Sequence, residues 1–332
     1  MTKKHKFDNL LKGQLPTDRV IFNPILMHFA ARLNYVTFET FALEYKALVE
    51  SNMKAMELFD TDLVSLISDP FRETSAFGAH VVFIDEGIPR CLHIVKTIDD
   101  VMDLKRPDVY KSERTLDRIK GAEYFQKLLH GNVPLNGWVE SPLAEACHLV
   151  GTSDMLKQLM TDSDFSNFLL DKCLLTAKDF ALAQIDAGCD MIGIGDTICS
   201  LIDKDMYDVY VKDKHIELIE YIHSIGGAVK LRVCGDINHL LESFKDLKAD
   251  IIDIDSMVDL DNARDILGPD VVLSGNISSV DIQNKSKDEV FQLSKSLVDK
   301  YMGTKYIISA GCEIAEDTPH ENLMSVRESS IF

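Results

Sequence analysis

Eight short apolar runs recur along the chain, and almost every one gives way to a polar or metal-binding residue. They cover 20–27 before His28, 63–68 before Asp69, 134–139 before Glu140 and 191–195 before Asp196. The later four cover 228–233 before Cys234, 251–254 before Asp255, 271–275 before Asn276 and 306–311 before Cys312. Strands buried on both faces read as continuous apolar runs, which is the signature of a parallel sheet covered by helices. Eight such strands alternating with helical stretches predict an α/β fold, a (β/α)8 TIM barrel whose chemistry gathers at the strands' C-terminal ends.

The stretches between runs carry apolar residues at helical spacing. The spacing predicts one helix over 38–59, another over 112–130 with a basic exposed face, and two or three over 143–187. Thr152 or Ser153 is the expected cap within that last stretch. Further helices are expected over 206–225, 237–247, 260–267, 287–301 and 319–327, the last with Pro319 in its first turn and Thr318 as cap. After the second run, 80–84 and 90–95 flank the turn-like Asp85-Glu86-Gly87, which reads as a β-hairpin inserted over the barrel mouth.

Composition narrows this picture. At 332 residues, with no linker, repeat or low-complexity tract, the economical reading is a single barrel domain over 1–332. The net charge of −19 argues against non-specific binding to nucleic acid or to an anionic membrane. No apolar stretch approaches the roughly 18 residues of a spanning helix. The first 13 residues are basic and lack the apolar segment of a secretory signal, so the expected location is cytoplasmic, with the seven cysteines reduced.

Two of those cysteines stand apart. Cys234 and Cys312 close the fifth and eighth runs, so both are expected at the same open end of the barrel. Paired thiolates suit zinc, a borderline-soft ion. Arg232 lies on the same side of its strand as Cys234, two residues earlier. Cys91, Cys147, Cys173, Cys189 and Cys199 read instead as small buried hydrophobes. Asp69, Glu140, Asp196 and Asp255 end strands, where a carboxylate can ligate metal, donate a proton, orient a neighbour or simply cap the next helix. Ser141 and Pro142 suit the cap and first helical position, which frees Glu140 for other work. Glu145 and His148 read as helix-surface residues. His28 is a candidate ligand or acid–base group. Gly193-Ile194-Gly195 lacks the third glycine of a dinucleotide fingerprint and lies inside a strand, so that reading is rejected.

Several segments together resemble the uroporphyrinogen decarboxylase superfamily, in particular its cobalamin-dependent methyltransferase branch. They are Leu231-Arg232-Val233-Cys234-Gly235, Ser274-Gly275-Asn276-Ile277 and Ser309-Ala310-Gly311-Cys312-Glu313-Ile314, followed by Thr318-Pro319-His320-Glu321-Asn322-Leu323. Ser68-Asp69-Pro70 and Gly137-Trp138-Val139-Glu140-Ser141-Pro142 fit as well. In the methylcobamide:coenzyme M methyltransferases that the chain resembles, zinc is held by a His-x-Cys pair and a later Cys. The cysteine positions match Cys234 and Cys312, whereas Arg232 stands at the histidine, and a guanidinium cannot serve as an ordinary zinc ligand.

Two outcomes follow from that resemblance. Either Glu140, or after it His28 or Asp196, completes the metal shell, or no zinc binds and Arg232 clamps a substrate carboxylate or sulfonate. Of the Arg-x-x-x-Arg segment of the true decarboxylases only Arg32 remains, His28 standing at the first position, while Asp69 matches their aspartate. The expectation is a corrinoid-dependent methyltransferase moving a methyl group between a small methyl donor or thiol acceptor and the cobalt of a corrinoid carried by a partner protein. Asp69, Glu140, Asp196 and His28 are its candidate catalytic residues, and Arg32, Arg232 and Asn276 its candidate substrate-binding residues. The alternatives are a decarboxylase acting on a polycarboxylate and a non-catalytic corrinoid or tetrapyrrole carrier.

Overall fold

The computed structural model describes residues 1–84, 87 and 89–332. Eight parallel strands form one sheet: β1 (Ile21–Phe22), β2 (Val64–Ser65), β5 (Leu135–Glu140), β6 (Met191–Asp196), β7 (Ala228–Val233), β8 (Ile251–Asp253), β9 (Val272–Ile277) and β10 (Tyr306–Ala310). The order across the sheet is β1-β10-β9-β8-β7-β6-β5-β2, so the sheet curls until its first two strands become the facing edges. No ladder joins those edges among the described residues. A side chain does the work: the Asp62 carboxylate accepts from the Phe22 amide at 2.8 Å, while its own amide donates to the Phe22 carbonyl at 2.9 Å. Arg19 grips the same carboxylate through both terminal nitrogens. The expected TIM barrel is therefore the observed fold.

The hairpin after β2 is present as two short antiparallel strands, β3 (Val81–Val82) and β4 (Arg90–Cys91). Its expected turn residues Asp85 and Glu86 lie outside the described residues.

Other boundaries shift for local reasons. The first two runs keep ladder pairing over only two residues each. The expected helix over 38–59 is two helices, Phe38–Leu43 and Tyr45–Phe59, because Glu44 is extended and the Tyr45 amide donates to Asp117. Over 143–187 three helices form: Pro142–Val150, Thr152–Thr161 and Ser163–Asp186. Gly151, at φ 100°, rather than Thr152 or Ser153, starts the second of these. In Glu113–Leu129 the lysines face out but Arg114 and Arg118 are buried, which corrects the expected basic exposed face. Pro319 itself occupies the cap position of His320–Ser329, one residue earlier than expected, and Thr318 makes no capping bond.

An amphipathic helix, Lys3–Leu11, was not foreseen. Its Phe7 and Leu10 join Ile21, Leu63, Met191, Ile251, Val272 and Ile307, residues at or near the strand starts, and so plug the bottom of the barrel. No helix among the described residues is long and apolar enough to cross a membrane.

Candidate active site at the barrel mouth

Every second residue of a strand faces the same way, and on β7 this sets a column of Lys230 and Arg232 rising to Cys234. Lys230 pairs with the buried Asp253 of β8 at 2.9 Å, and Arg232 reaches the same carboxylate at 3.5 Å. One anion thus faces two cations inside the barrel. That Asp253 contact is the only ion pair of Arg232 among the described residues, although its side chain is only 8% exposed. Its positive charge is directed at the sulfurs above it.

Those sulfurs meet. Cys234 and Cys312, at the ends of strands three apart in the sheet, come close enough for each to be the first influence on the other's ionisation. Cys234 is the first cause holding Cys312 down at about 6; burial opposes it, and Arg232 and the Glu313 amide add to it. Cys234 moves the opposite way, because Cys312 and burial both raise it.

Gly311 explains how Cys312 gets there. A Cβ on it would come within 3.0 Å of the Asp255 carbonyl carbon, so only glycine lets the end of β10 close on the loop after β8. This approach brings up Asp255, whose carboxylate accepts from the Gly235 and Met257 amides and whose charge acts on both sulfurs. The Asn276 amide nitrogen ties down the same loop by donating to the carbonyls of Asp255 and Val258, at 3.2 and 2.8 Å. Asn276, expected to bind substrate, has that nitrogen occupied by scaffold.

A cleft of about 720 Å³ opens at Glu313, the residue after Cys312, with neither cysteine among its lining residues. His28, Arg32, Tyr35, Phe38 and Glu313 line it. His28 stacks on Phe38 with ring centroids 3.6 Å apart, and its Nδ1 lies 3.0 Å from Glu313, the neighbour of Cys312. Burial opposes the imidazolium, but Glu313 outweighs it and the His28 pKa is raised. Arg32 reaches solvent and pairs with Asp317.

The remaining strand-end carboxylates are engaged elsewhere. Asp69 is paired with Arg114 and accepts from the Phe71 amide; burial works against its ionisation, but Arg114 and Arg72 hold it below the usual carboxylate range. Glu140 accepts from Arg72 at 2.8 Å, and no contact joins it to either sulfur among the described residues. Asp255, rather than Glu140, is the strand-end carboxylate whose charge acts on the two sulfurs. Around Glu140 lies a sealed acidic group that sequence reading missed, with Glu73, Glu145 and His148 all buried or nearly so. Glu145 and His148 are thus interior, not helix-surface, residues. Burial pushes Glu73 up to about 7 and Glu140 and Glu145 up to about 8, while it pushes His148 down.

Asp196 points away from the thiols, against the helix behind its own strand. Its carboxylate accepts from Ser141 and from the Cys199 thiol at 2.9 Å, and lies 3.4 Å from His215. The rejected Gly193-Ile194-Gly195 also has a structural cause: a Cβ at Gly195 would come within 2.8 Å of the Trp138 indole nitrogen, and Trp138 covers Gly193 too.

The family model for uroporphyrinogen decarboxylase (URO-D) matches residues 2–330, and the chain belongs to that family. The uroporphyrinogen decarboxylase of Geobacter sulfurreducens is 27% identical over 287 residues, 84% of this chain and 82% of that protein. That of Neisseria meningitidis serogroup C is 26% identical over 296 residues, covering 82% of each. Among solved structures, a methyltransferase from Methanosarcina mazei superposes with a TM-score of 0.90 at 19% identity, over 99% of this chain and 98% of its own. A B12-independent methionine synthase from Shewanella sp. W3-18-1 gives 0.60 at 13% identity, over 94% and 96%. Both structures share the barrel.

Proposed function

We propose that this chain is a corrinoid-dependent methyltransferase, moving a methyl group between a small donor or thiol acceptor and the cobalt of a corrinoid carried by a partner protein. The observation that carries this reading is the placement of Cys234 and Cys312 together at the strand ends, above a surplus of buried positive charge. The methyltransferase named among the structural neighbours supports the same branch.

Two sulfurs suit zinc, and Cys234 and Cys312 would supply two of its ligands, while no carboxylate or imidazole among the described residues joins them in a group compact enough to complete the shell. When bound, zinc supplies Lewis acidity that lowers the pKa of a ligating thiol or polarises the heteroatom of a methyl donor. The chain's own residues do the rest. Arg232 favours anionic sulfur at this end of the barrel and is placed to receive an anionic group of the substrate. His28, held by Glu313 against Phe38, orients the cleft wall and can hold or release a proton at Nε2. In the thiol-accepting direction the acceptor sulfur forms a bond to the methyl carbon. The carbon–cobalt bond breaks with its electron pair left on the metal, and the acceptor's thiol proton leaves to solvent.

The test is methyl transfer assayed anaerobically with methylated corrinoid and a panel of small thiols, alongside zinc analysis of the wild type and Cys234→Ser. Turnover lost in the variant supports the reading; no transfer with any thiol or donor in either direction overturns it. A second reading, decarboxylation of a polycarboxylate, is favoured by the named activity of the sequence relatives. It predicts substrate binding that survives loss of both cysteines and fails in Arg232→Ala.

A further inference from the structure

We propose that Asp196, Cys199 and His215 form an internal zinc site, separate from the pair of Cys234 and Cys312. Asp196 ends β6, Cys199 lies three residues on in the loop, and His215 projects inward from the helix Lys212–Ser224. One ligand atom from each lies within 4.8 Å of the others, and this is the one such grouping found among the described residues. All three are fully buried. Carboxylate, thiol and imidazole are the donors zinc takes. A tetrahedral ion with the usual bond lengths spaces its ligand atoms roughly 3.3–3.7 Å apart. Here Oδ2 of Asp196 lies 2.9 Å from Sγ of Cys199 and 3.4 Å from Nε2 of His215, so small adjustments would admit the ion.

Two further observations point to a cation. First, Nε2 of His215 is buried and finds no hydrogen-bond partner of acceptable geometry among the described residues, although it aims at Asp196. The ring's other nitrogen is already held by the Tyr207 hydroxyl at 3.0 Å, the kind of outer contact that orients a metal-bound imidazole. Tyr207 opens a π-helical turn, Tyr207–Val211, a local widening often found where side chains must be re-aimed.

Second, four of the other buried carboxylates have a fixed cation, although Asp255 and Glu145 have none among the described residues. Asp62 has Arg19, Asp69 has Arg114, Glu140 has Arg72 and Asp253 has Lys230. Asp196 has no lysine or arginine; only His215 faces it among the described residues. A buried carboxylate without a compensating charge is costly. Zinc supplies that charge on binding and displaces the thiol proton of Cys199 to solvent. Ser141, 2.5 Å from Oδ2, offers a neutral fourth oxygen and would tie the neighbouring βα unit to the site.

The experiment uses the full chain carrying Cys234→Ser and Cys312→Ser, so that failure of the mouth site cannot be mistaken for failure of this one. The protein is unfolded with chelator, refolded with zinc or cobalt(II), dialysed and analysed. The expected result is one zinc per chain, a thiolate-to-cobalt charge-transfer band in the cobalt form, and a higher melting temperature than the metal-free protein. Adding Cys199→Ala should remove the band. If that triple variant fails to fold, the double variant alone still decides. Metal-free protein with the same melting temperature in zinc as in chelator overturns the proposal and leaves an Asp196–imidazolium ion pair as the account of the cluster.

Discussion

Two buried groups of ionisable side chains flank the mouth of this barrel, and they are built in opposite ways. On the β7–β10 side, Arg232 has one distant anion, the two cysteines perturb one another, and a cleft opens at Glu313, the residue after Cys312. On the β2–β5 side, Glu73, Glu140 and Glu145 crowd around Arg72 and His148 behind closed packing. The first group stores unsatisfied charge where a ligand can reach it. The second spends its charge on neighbours and is neutralised by proton uptake where neighbours run out. Perturbed ionisation alone therefore does not mark the reactive side; access does.

The largest effect that sharpens this contrast is on turnover. Cys312→Ser should lower methyl transfer by roughly 100-fold or more, about 2.7 kcal/mol of transition-state stabilisation, with the urea midpoint little changed. Arg72→Ala should do the reverse, costing about 3–5 kcal/mol of stability by leaving Glu140 and Glu73 buried beside no cation. An Arg72→Ala protein as stable as wild type would erase the distinction between the two sides.

The acidic side also sets a pH dependence. Glu145 is raised to about 8 by burial, above its unfolded value, so the folded protein holds a proton that the unfolded chain has lost between about pH 4.5 and 8. Stability should fall as pH rises through that window, by up to about 1.4 kcal/mol per pH unit for one such group. Chemical denaturation at pH 5 and pH 8 should show the decline in wild type and a shallower one in Glu145→Gln.

On the thiol side, the alkylation rate of Cys312 in metal-free protein should follow a midpoint near pH 6. Arg232→Gln should move it upward by roughly one unit. The smallest effect is Arg32→Ala, which removes a solvent-exposed pair with Asp317 and should change the melting free energy by less than about 0.5 kcal/mol.

How much of this was legible beforehand follows from what each feature depends on. The eight runs reveal the barrel because burial on both faces leaves an unbroken apolar record. The meeting of Cys234 with Cys312 follows from strand-end position alone, without any distance. The same alternation that linked Arg232 to Cys234 reaches Lys230 two residues lower, and extending it would have found that cation. Asp255 and Glu140 both end strands; only the close approach at Gly311 selects the former. The buried acids were invisible for another reason: Glu145 and His148 sit at helical spacing like surface residues, and the Arg72 that makes them tolerable follows a different strand. Cys199 reads as a small apolar residue until the helix bearing His215 is folded back onto it.

The Asp62 clasp has a consequence for motion. Elsewhere around the barrel, neighbouring strands are zipped by repeated backbone bonds, whereas the ring is closed at one point by a carboxylate gripped by Arg19. A closure made of one side chain and a single backbone bond can release without unzipping a ladder. The amides of Phe22 and Asp62 should therefore trade hydrogen with solvent sooner than those of β6 and β7. That would make the seam between β1 and β2 the hinge line along which the barrel breathes, close to where His28 enters the cleft.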